Sequence, residues 1–209
     1  DWRITAGREE DDGNGLLHDS HVTEKINIRT DFLTAYNQFW TVQAGFNQAV
    51  FNLGDGDVNN IFRDEDSSNS YQNIKWELME GKVNTTVSFS HSRQEVTDTF
   101  ETPVLNSFFG GAALALPDFT GTVSYDRLSE RSDIEAFQNR KLNRSMTVNY
   151  GFSIRNDKVT SLFLFHDNET RKVDTQRVFS NLEWKPFQNT IIDLGVMAEN
   201  TDFTDTEYS

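Results

Sequence analysis

Apolar and polar residues alternate singly along most of the chain, the period of a pleated strand whose successive side chains leave opposite faces. Between Lys25 and Leu33 one parity carries Ile26, Ile28, Thr30 and Phe32, and the other carries Asn27, Arg29 and Asp31. The same division sets Trp40, Val42, Ala44 and Phe46 against Thr41, Gln43, Gly45 and Asn47, and sets Ile74, Trp76 and Leu78 against Lys75 and Glu77. It returns in Val83, Thr85, Val87 and Phe89, in Met146, Val148, Tyr150, Phe152 and Ile154, in Val178, Leu182 and Trp184, and in Ile192, Leu194, Val196 and Ala198. Each run reads as a strand with one oily and one wet face.

The connections between these runs are short and long in turn. Short turns fall near Thr34 to Asn37, Glu80 to Lys82, Arg140 to Asn143 and Lys185 to Asn189; longer polar stretches span Glu10 to Asp19, Leu53 to Asn69, Thr99 to Gly121 and Asn156 to Asp167. Outer-membrane barrels keep this alternation, with short periplasmic turns and long extracellular loops. Nine strands are predicted: Trp2–Glu9, Ser20–Leu33, Gln38–Asn52, Ser70–Met79, Val83–Asp98, Thr122–Asn139, Arg144–Arg155, Asn168–Trp184 and Thr190–Asp202. Several exceed the ~9–11 residues that cross a bilayer when tilted, so their upper ends are expected to stand above the membrane. The predicted fold is all-β, an antiparallel up-and-down transmembrane β-barrel segment of about nine strands, part of a larger barrel. Residues 1–209 are expected to form one partial barrel domain with open edges at Trp2–Glu9 and Thr190–Asp202, whose unpaired backbone groups need neighbours.

Composition agrees with one-sided burial. Hydrophobic residues make up 36% of the 209, yet 17 are Phe, so apolar character is sparse but bulky. A barrel that shows lipid only alternate residues can be built this way. A net charge of −14 leaves too few dispersed cations to track a phosphate backbone, so no nucleic-acid partner is expected. The absence of cysteine removes disulfides, thiolate nucleophiles and Cys-based zinc sites. No stretch approaches the ~18 apolar residues of a spanning helix, and the opening Asp1-Trp2-Arg3-Ile4 has no signal-peptide character.

Chemistry is thinly signalled. His18 and His21 are the one close histidine pair, but residues three apart on a strand face opposite ways, so solvated loop-edge side chains are expected rather than a metal site. Asp55-Gly56-Asp57 with Asn59 and Asn60 resembles the start of a calcium loop without its closing Glu, which excludes an EF-hand. With Asp64, Glu65 and Asp66 it reads as a solvated acidic loop, or as a weak divalent-cation surface near lipopolysaccharide. No phosphate loop or Ser, His and Asp grouping stands out, and the carboxylates are too many for any pair to be singled out as acid and base. No enzyme activity, cofactor or metal is expected.

One connection is unusual: Thr99 to Gly121 is apolar where a solvent loop should be polar. Phe108, Phe109, Leu114, Leu116 and Phe119 lie among Gly110, Gly111, Pro103 and Pro117. Either the loop folds over the barrel mouth and offers aromatic surface to a ligand, or a short helix near Ala112 to Ala115 buries these side chains among neighbouring loops. Self-packing is the more ordinary outcome. Arg127 and Arg131 follow near the top of the next strand, placed to face an anionic ligand or, as is commoner, to pair with wall carboxylates.

From Arg177 to Pro186 the chain resembles the barrel of TonB-dependent outer-membrane receptors, in which Asn181-Leu182-Glu183-Trp184-Lys185-Pro186 descends to a periplasmic turn and a run like Ile191 to Glu199 climbs from it. Thr206-Glu207-Tyr208-Ser209 is similar to the point where such receptors continue into another strand, and Trp2 to Glu9, His18-Asp19-Ser20 and Lys25 to Leu33 resemble their early barrel. The resemblance implies a 22-stranded, plugged barrel in the outer membrane of a Gram-negative bacterium. It implies capture of a scarce small molecule such as a ferric siderophore or cobalamin, contact with outer-membrane lipid and lipopolysaccharide, and import driven by TonB through the plug. No TonB box, plug-sized domain or last strand ending in an aromatic residue is found, so plug and C-terminal strands are expected to lie outside these residues. Phe108, Phe109, Phe119, Arg127 and Arg131 are then the candidate ligand residues.

Two other readings remain open. A porin-like channel shares the strand grammar without a plug, and a soluble all-β binding or adhesion module would need a closed two-sheet core. A β-rich glycosidase is the weakest option. Under the barrel reading Val148→Arg should cost ~2–4 kcal/mol, and the same change at Asn149 much less.

Overall fold

The computed structural model describes residues 1–14, 18–34, 37–56, 61–104, 119–202 and 204–208. Ten strands form one antiparallel sheet in chain order: β1 (Trp2–Asp11), β2 (His21–Thr34), β3 (Gln38–Leu53), β4 (Arg63–Glu80), β5 (Val83–Thr97), β8 (Arg127–Lys141), β9 (Met146–Thr160), β10 (Arg171–Phe187), β11 (Thr190–Thr201) and β12 (Thr204–Tyr208). Between β5 and β8, β6 (Thr99–Val104) and β7 (Phe119–Ser124) pair only with each other as a separate ribbon. A single turn of helix, α1 (Leu162–Phe165), follows β9.

Register places the apolar parity of each strand on one face. Phe32, Trp40, Trp76, Val87, Ala136, Phe152, Val178, Ala198 and Tyr208 stand opposite one another in a continuous cross-strand row. The parallel row Thr30, Val42, Ile74, Phe89, Ile134 and Ile154 is apolar after its first member. The first row lies two residues from the short-turn end in β2 and nine from it in β10. Strands are thus progressively staggered, the shear that a tilted barrel wall requires. In β9 the apolar parity runs from Met146 to Ile154, which climbs about 20 Å at a tilt of ~40°, near the ~25 Å band of an outer-membrane barrel. At the short-turn end of β2 to β4 the rings of Phe32, Trp40 and Trp76 follow one another at 6.3 and 6.4 Å, an aromatic belt at the edge of that band.

The sheet has no interior of its own. Among the described residues only Ala49 and Val96 are buried apolar side chains, whereas Val178 is 62% and Val196 67% exposed. A soluble two-sheet module would have folded such residues against a second layer. No second layer is present among the described residues; the oily face is simply outward.

Four expectations change. β4 begins at Arg63, seven residues before the predicted Ser70. Arg63 to Ser70 is polar on both parities, so no alternation betrays it, yet it is hydrogen-bonded along β3 from Leu53 to Phe46. The predicted strand Thr122–Asn139 is broken at Tyr125 and Asp126 into β7 and β8, and the predicted loop Thr99 to Gly121 carries the β6–β7 ribbon. β9 continues to Thr160, replacing the first part of the predicted Asn156 to Asp167 loop. β12 adds a strand beyond Thr190–Thr201, so that edge belongs to β12. The short turns fall as expected, and Pro186 lies at the register shift between Trp184 and Phe187, where a residue without an N–H is tolerated.

Candidate functional site

The face opposite the apolar rows is a field of paired charges. Arg131 Nε meets Asp157 at 2.5 Å, and the other oxygen of Asp157 lies 3.0 Å from Arg155 Nε, joining β8 to β9. Arg177 on β10 meets Glu199 on β11 at 2.6 Å. Arg29 Nε donates to Asp31 at 2.8 Å, and the Thr41 hydroxyl donates to the same carboxylate at 2.7 Å. Half-exposed pairs of this kind add little stability singly. Their effect is to fix donor and acceptor positions over a polar wall.

Tyr71 lies flat across that wall. Its hydroxyl donates to Asn27 Oδ1 and accepts from Gln43 Nε2, both at 2.9 Å. The ring occupies the place of a side chain at Gly45, where a Cβ would come within 2.3 Å of Tyr71 Cε1. Glycine is required there because an aromatic ring from β4 covers the β3 backbone.

At the long-connection end the wall closes on a buried carboxylate. Asp98, 3% exposed, accepts from Arg63 Nε at 2.9 Å, and that guanidinium stands 4.6 Å over the Phe100 ring. Tyr125 meets Phe100 at 5.7 Å and the edge of Phe163 at 4.6 Å. Asp126 accepts the Asp98 N–H at 2.8 Å and the Thr99 hydroxyl at 3.1 Å. The Ser161 hydroxyl donates to the Asp126 carbonyl at 2.9 Å, and its oxygen caps α1 by accepting the Leu164 N–H. Residues of β4, of the β5–β6 and β7–β8 joints and of α1 thus converge on one knot that anchors the root of the ribbon. A cleft of about 360 Å³ beside it is lined by Glu95, Thr97, Asp126, Arg127, Ser161 and Asn168, among others.

Of the residues singled out from sequence, Phe108 and Phe109 lie outside the described residues, as does the expected helix near Ala112 to Ala115. Phe119 opens β7 opposite Val104; its side chain is outside the description. Arg127 opens β8 in that cleft, exposed and with no ion-pair partner among the described residues. Arg131 is paired with Asp157, the commoner of its two expected fates. His18 lies 3.5 Å from Asp64 and edge-on to Phe62, His21 stacks on Phe51, and His91 bonds Ser132. No three His, Cys, Asp or Glu among the described residues are placed to hold a metal. Of the acidic loop, Asp57, Asn59 and Asn60 are outside the description. Sequence reasoning missed Arg63, Asp98, Tyr125, Asp126 and Ser161, because a knot drawn from four separate segments leaves no spacing to read.

No protein-family model matches the chain, and neither does any curated protein. Among solved structures, the chain is similar to the ferric-catecholate import receptor Fiu of Escherichia coli K12 in its closed form, with a TM-score of 0.66 and 9% identity over 99% of this chain and 37% of that one. The fold is that of an outer-membrane β-barrel wall. The chain spans little more than a third of Fiu. A second likeness, to the loop-L8 deletion mutant of the outer-membrane protein OmpT of Vibrio cholerae, has a TM-score of 0.47 at 13% identity over 98% of this chain and 72% of that one. In such a wall the apolar rows form the face that meets lipid, and the charged face with its knot is the opposite one.

Proposed function

We propose that this wall belongs to an outer-membrane receptor of a Gram-negative bacterium that captures a scarce small molecule, of the metal-chelate class, and passes it inward by TonB-driven movement of a plug. The observation that carries the reading is the pairing of a tall, charge-laddered inner face with a knotted mouth. Strands such as β4 continue well above the apolar band with both parities polar, and the ribbon is rooted at their summit. A wall that only bounded a pore would have no use for that height; a wall that displays recognition surface outside the membrane does. The likeness to Fiu over nearly the whole chain supports the barrel wall on which this reading rests.

In this reading the chain performs no bond chemistry of its own. It contacts lipid and lipopolysaccharide outside and the plug inside, and Arg127 and Phe119, with Phe108 and Phe109 of the 105–118 connection, meet the ligand. The test is uptake of a radiolabelled ferric siderophore and of cyanocobalamin by cells carrying or lacking the gene, each with and without TonB. Uptake of one ligand that needs both is expected. Uptake that persists without TonB would replace the receptor by a passive channel, and dependence on neither gene would remove the transport role.

A further inference from the structure

Three turns at the short-turn end touch one another: the Lys82 carbonyl accepts the Lys141 N–H at 2.8 Å and the Ser145 carbonyl accepts the Lys185 N–H at 2.7 Å. Within three residues of these turns stand Lys82, Arg140, Lys141, Arg144 and Lys185 against the carboxylates Glu77, Glu80 and Glu183, in a chain whose net charge is −14. Lys185 is held by Glu183 at 2.8 Å. The other four are exposed and have no ion-pair partner among the described residues. Eight other arginines each have one, whereas Arg3, Lys25, Arg127, Lys158 and Lys172, which have none among the described residues, are spread over the wall. With carboxylates so abundant, cations left unpaired together on adjacent turns are expected to meet an anion from outside the chain.

The register identifies its source. Arg140 belongs to the lipid-facing parity: it stands opposite Val83 and Val148, and the row continues through Leu182 to Leu194. A guanidinium there borders the apolar band and must turn its head toward the interface. At the same end of the wall Leu142 is 47% and Phe187 73% exposed. Apolar side chains for acyl chains and unpaired cations for phosphates thus share one rim.

We propose that this rim binds anionic phospholipid headgroups of the leaflet on the short-turn side, Arg140 and Arg144 making the phosphate contacts, while Lys82 and Lys141, joined to each other and in register with Thr147 on the polar parity, add positive charge from the other face of the rim. The site rests on the reading of the chain as an outer-membrane barrel wall. It would anchor this arc of the barrel at a fixed depth, opposite the mouth.

Full-length protein folded in a zwitterionic detergent is titrated with phosphatidylglycerol or phosphatidylcholine, and bound lipid is counted by native mass spectrometry. Phosphatidylglycerol should bind in preference and weaken as ionic strength rises. Arg140→Gln with Arg144→Gln should weaken it about 25-fold, at roughly five-fold for each charge removed, while Arg8→Gln with Lys172→Gln at the far end should leave it nearly unchanged. Equal binding of the two lipids, salt-insensitive binding, or equal losses in both variant pairs would overturn the site. Heat-modifiable gel migration is followed in the same samples. Its absence from the wild type defeats the barrel reading itself, whereas its presence without lipid selectivity defeats only the lipid site. Should the double variant fail to fold, the salt and lipid dependence of the wild type still decides.

Discussion

Gly45 and Tyr71 show what a single residue does in a wall without a core. The ring lies where the glycine side chain would be, so Gly45→Ala forces a Cβ against a packed aromatic and should cost about 1–3 kcal/mol, read by urea unfolding in lipid vesicles. Tyr71→Ser should recover much of that loss in the double variant; equal destabilisation in both backgrounds would mean that the contact does not matter. The face that each residue takes was legible from parity alone, because water and lipid sort neighbours one by one. The depth of a residue was not, because it depends on stagger. Val148 lies in the row of Arg140, toward the short-turn end, and is therefore a poor probe of the band centre. Val178, opposite Phe152 and Ala198, is the better one. Val178→Arg should cost ~2–4 kcal/mol and Asn181→Arg on the polar face under ~1; equal costs would reverse the assigned faces.

At the scale of elements, strands were legible where they cross the apolar band and illegible above it. Once both faces of β4 meet water, Arg63 to Ser70 loses its alternation, and only pairing with β3 and β5 reveals that the strand continues. The ribbon is hidden for a related reason: Thr99 to Gly121 reads as one apolar connection and Thr122 to Ser124 as the start of the strand Thr122–Asn139, since nothing in Thr99 to Val104 alternates against a membrane. What makes these upper elements hold is the knot at Asp98. Arg63→Ala leaves that carboxylate buried without its cation, a change that costs about 3–5 kcal/mol for a buried pair. The loss falls on the root of the ribbon and not on the band. Limited proteolysis should therefore cut between β5 and β8 far sooner in this variant, while the remainder of the barrel keeps its heat-modifiable migration. Arg8→Ala, which breaks an exposed pair, should leave the cleavage rate nearly as it is.

For the whole molecule, the decisive fact is that the oily surface is outside. Folding of a soluble domain removes apolar side chains from water by turning them inward; here the sheet gathers them on one face and leaves them exposed, with two buried apolar residues among those described. Antiparallel pairing satisfies the backbone within the wall, so lipid needs to meet only side chains on that face. This arrangement was legible in the sequence because each strand repeats the same local rule, whereas the connections follow no period and so name no ligand. The consequence can be measured on the native protein. It should remain with the membrane through salt and alkaline washes, require detergent for extraction, and migrate differently on gels before and after boiling, since the pairing of ten strands resists detergent at room temperature. Release by salt alone would mean that the apolar face is covered by protein, and the rows from Phe32 to Tyr208 would then have to be read as one half of an interface.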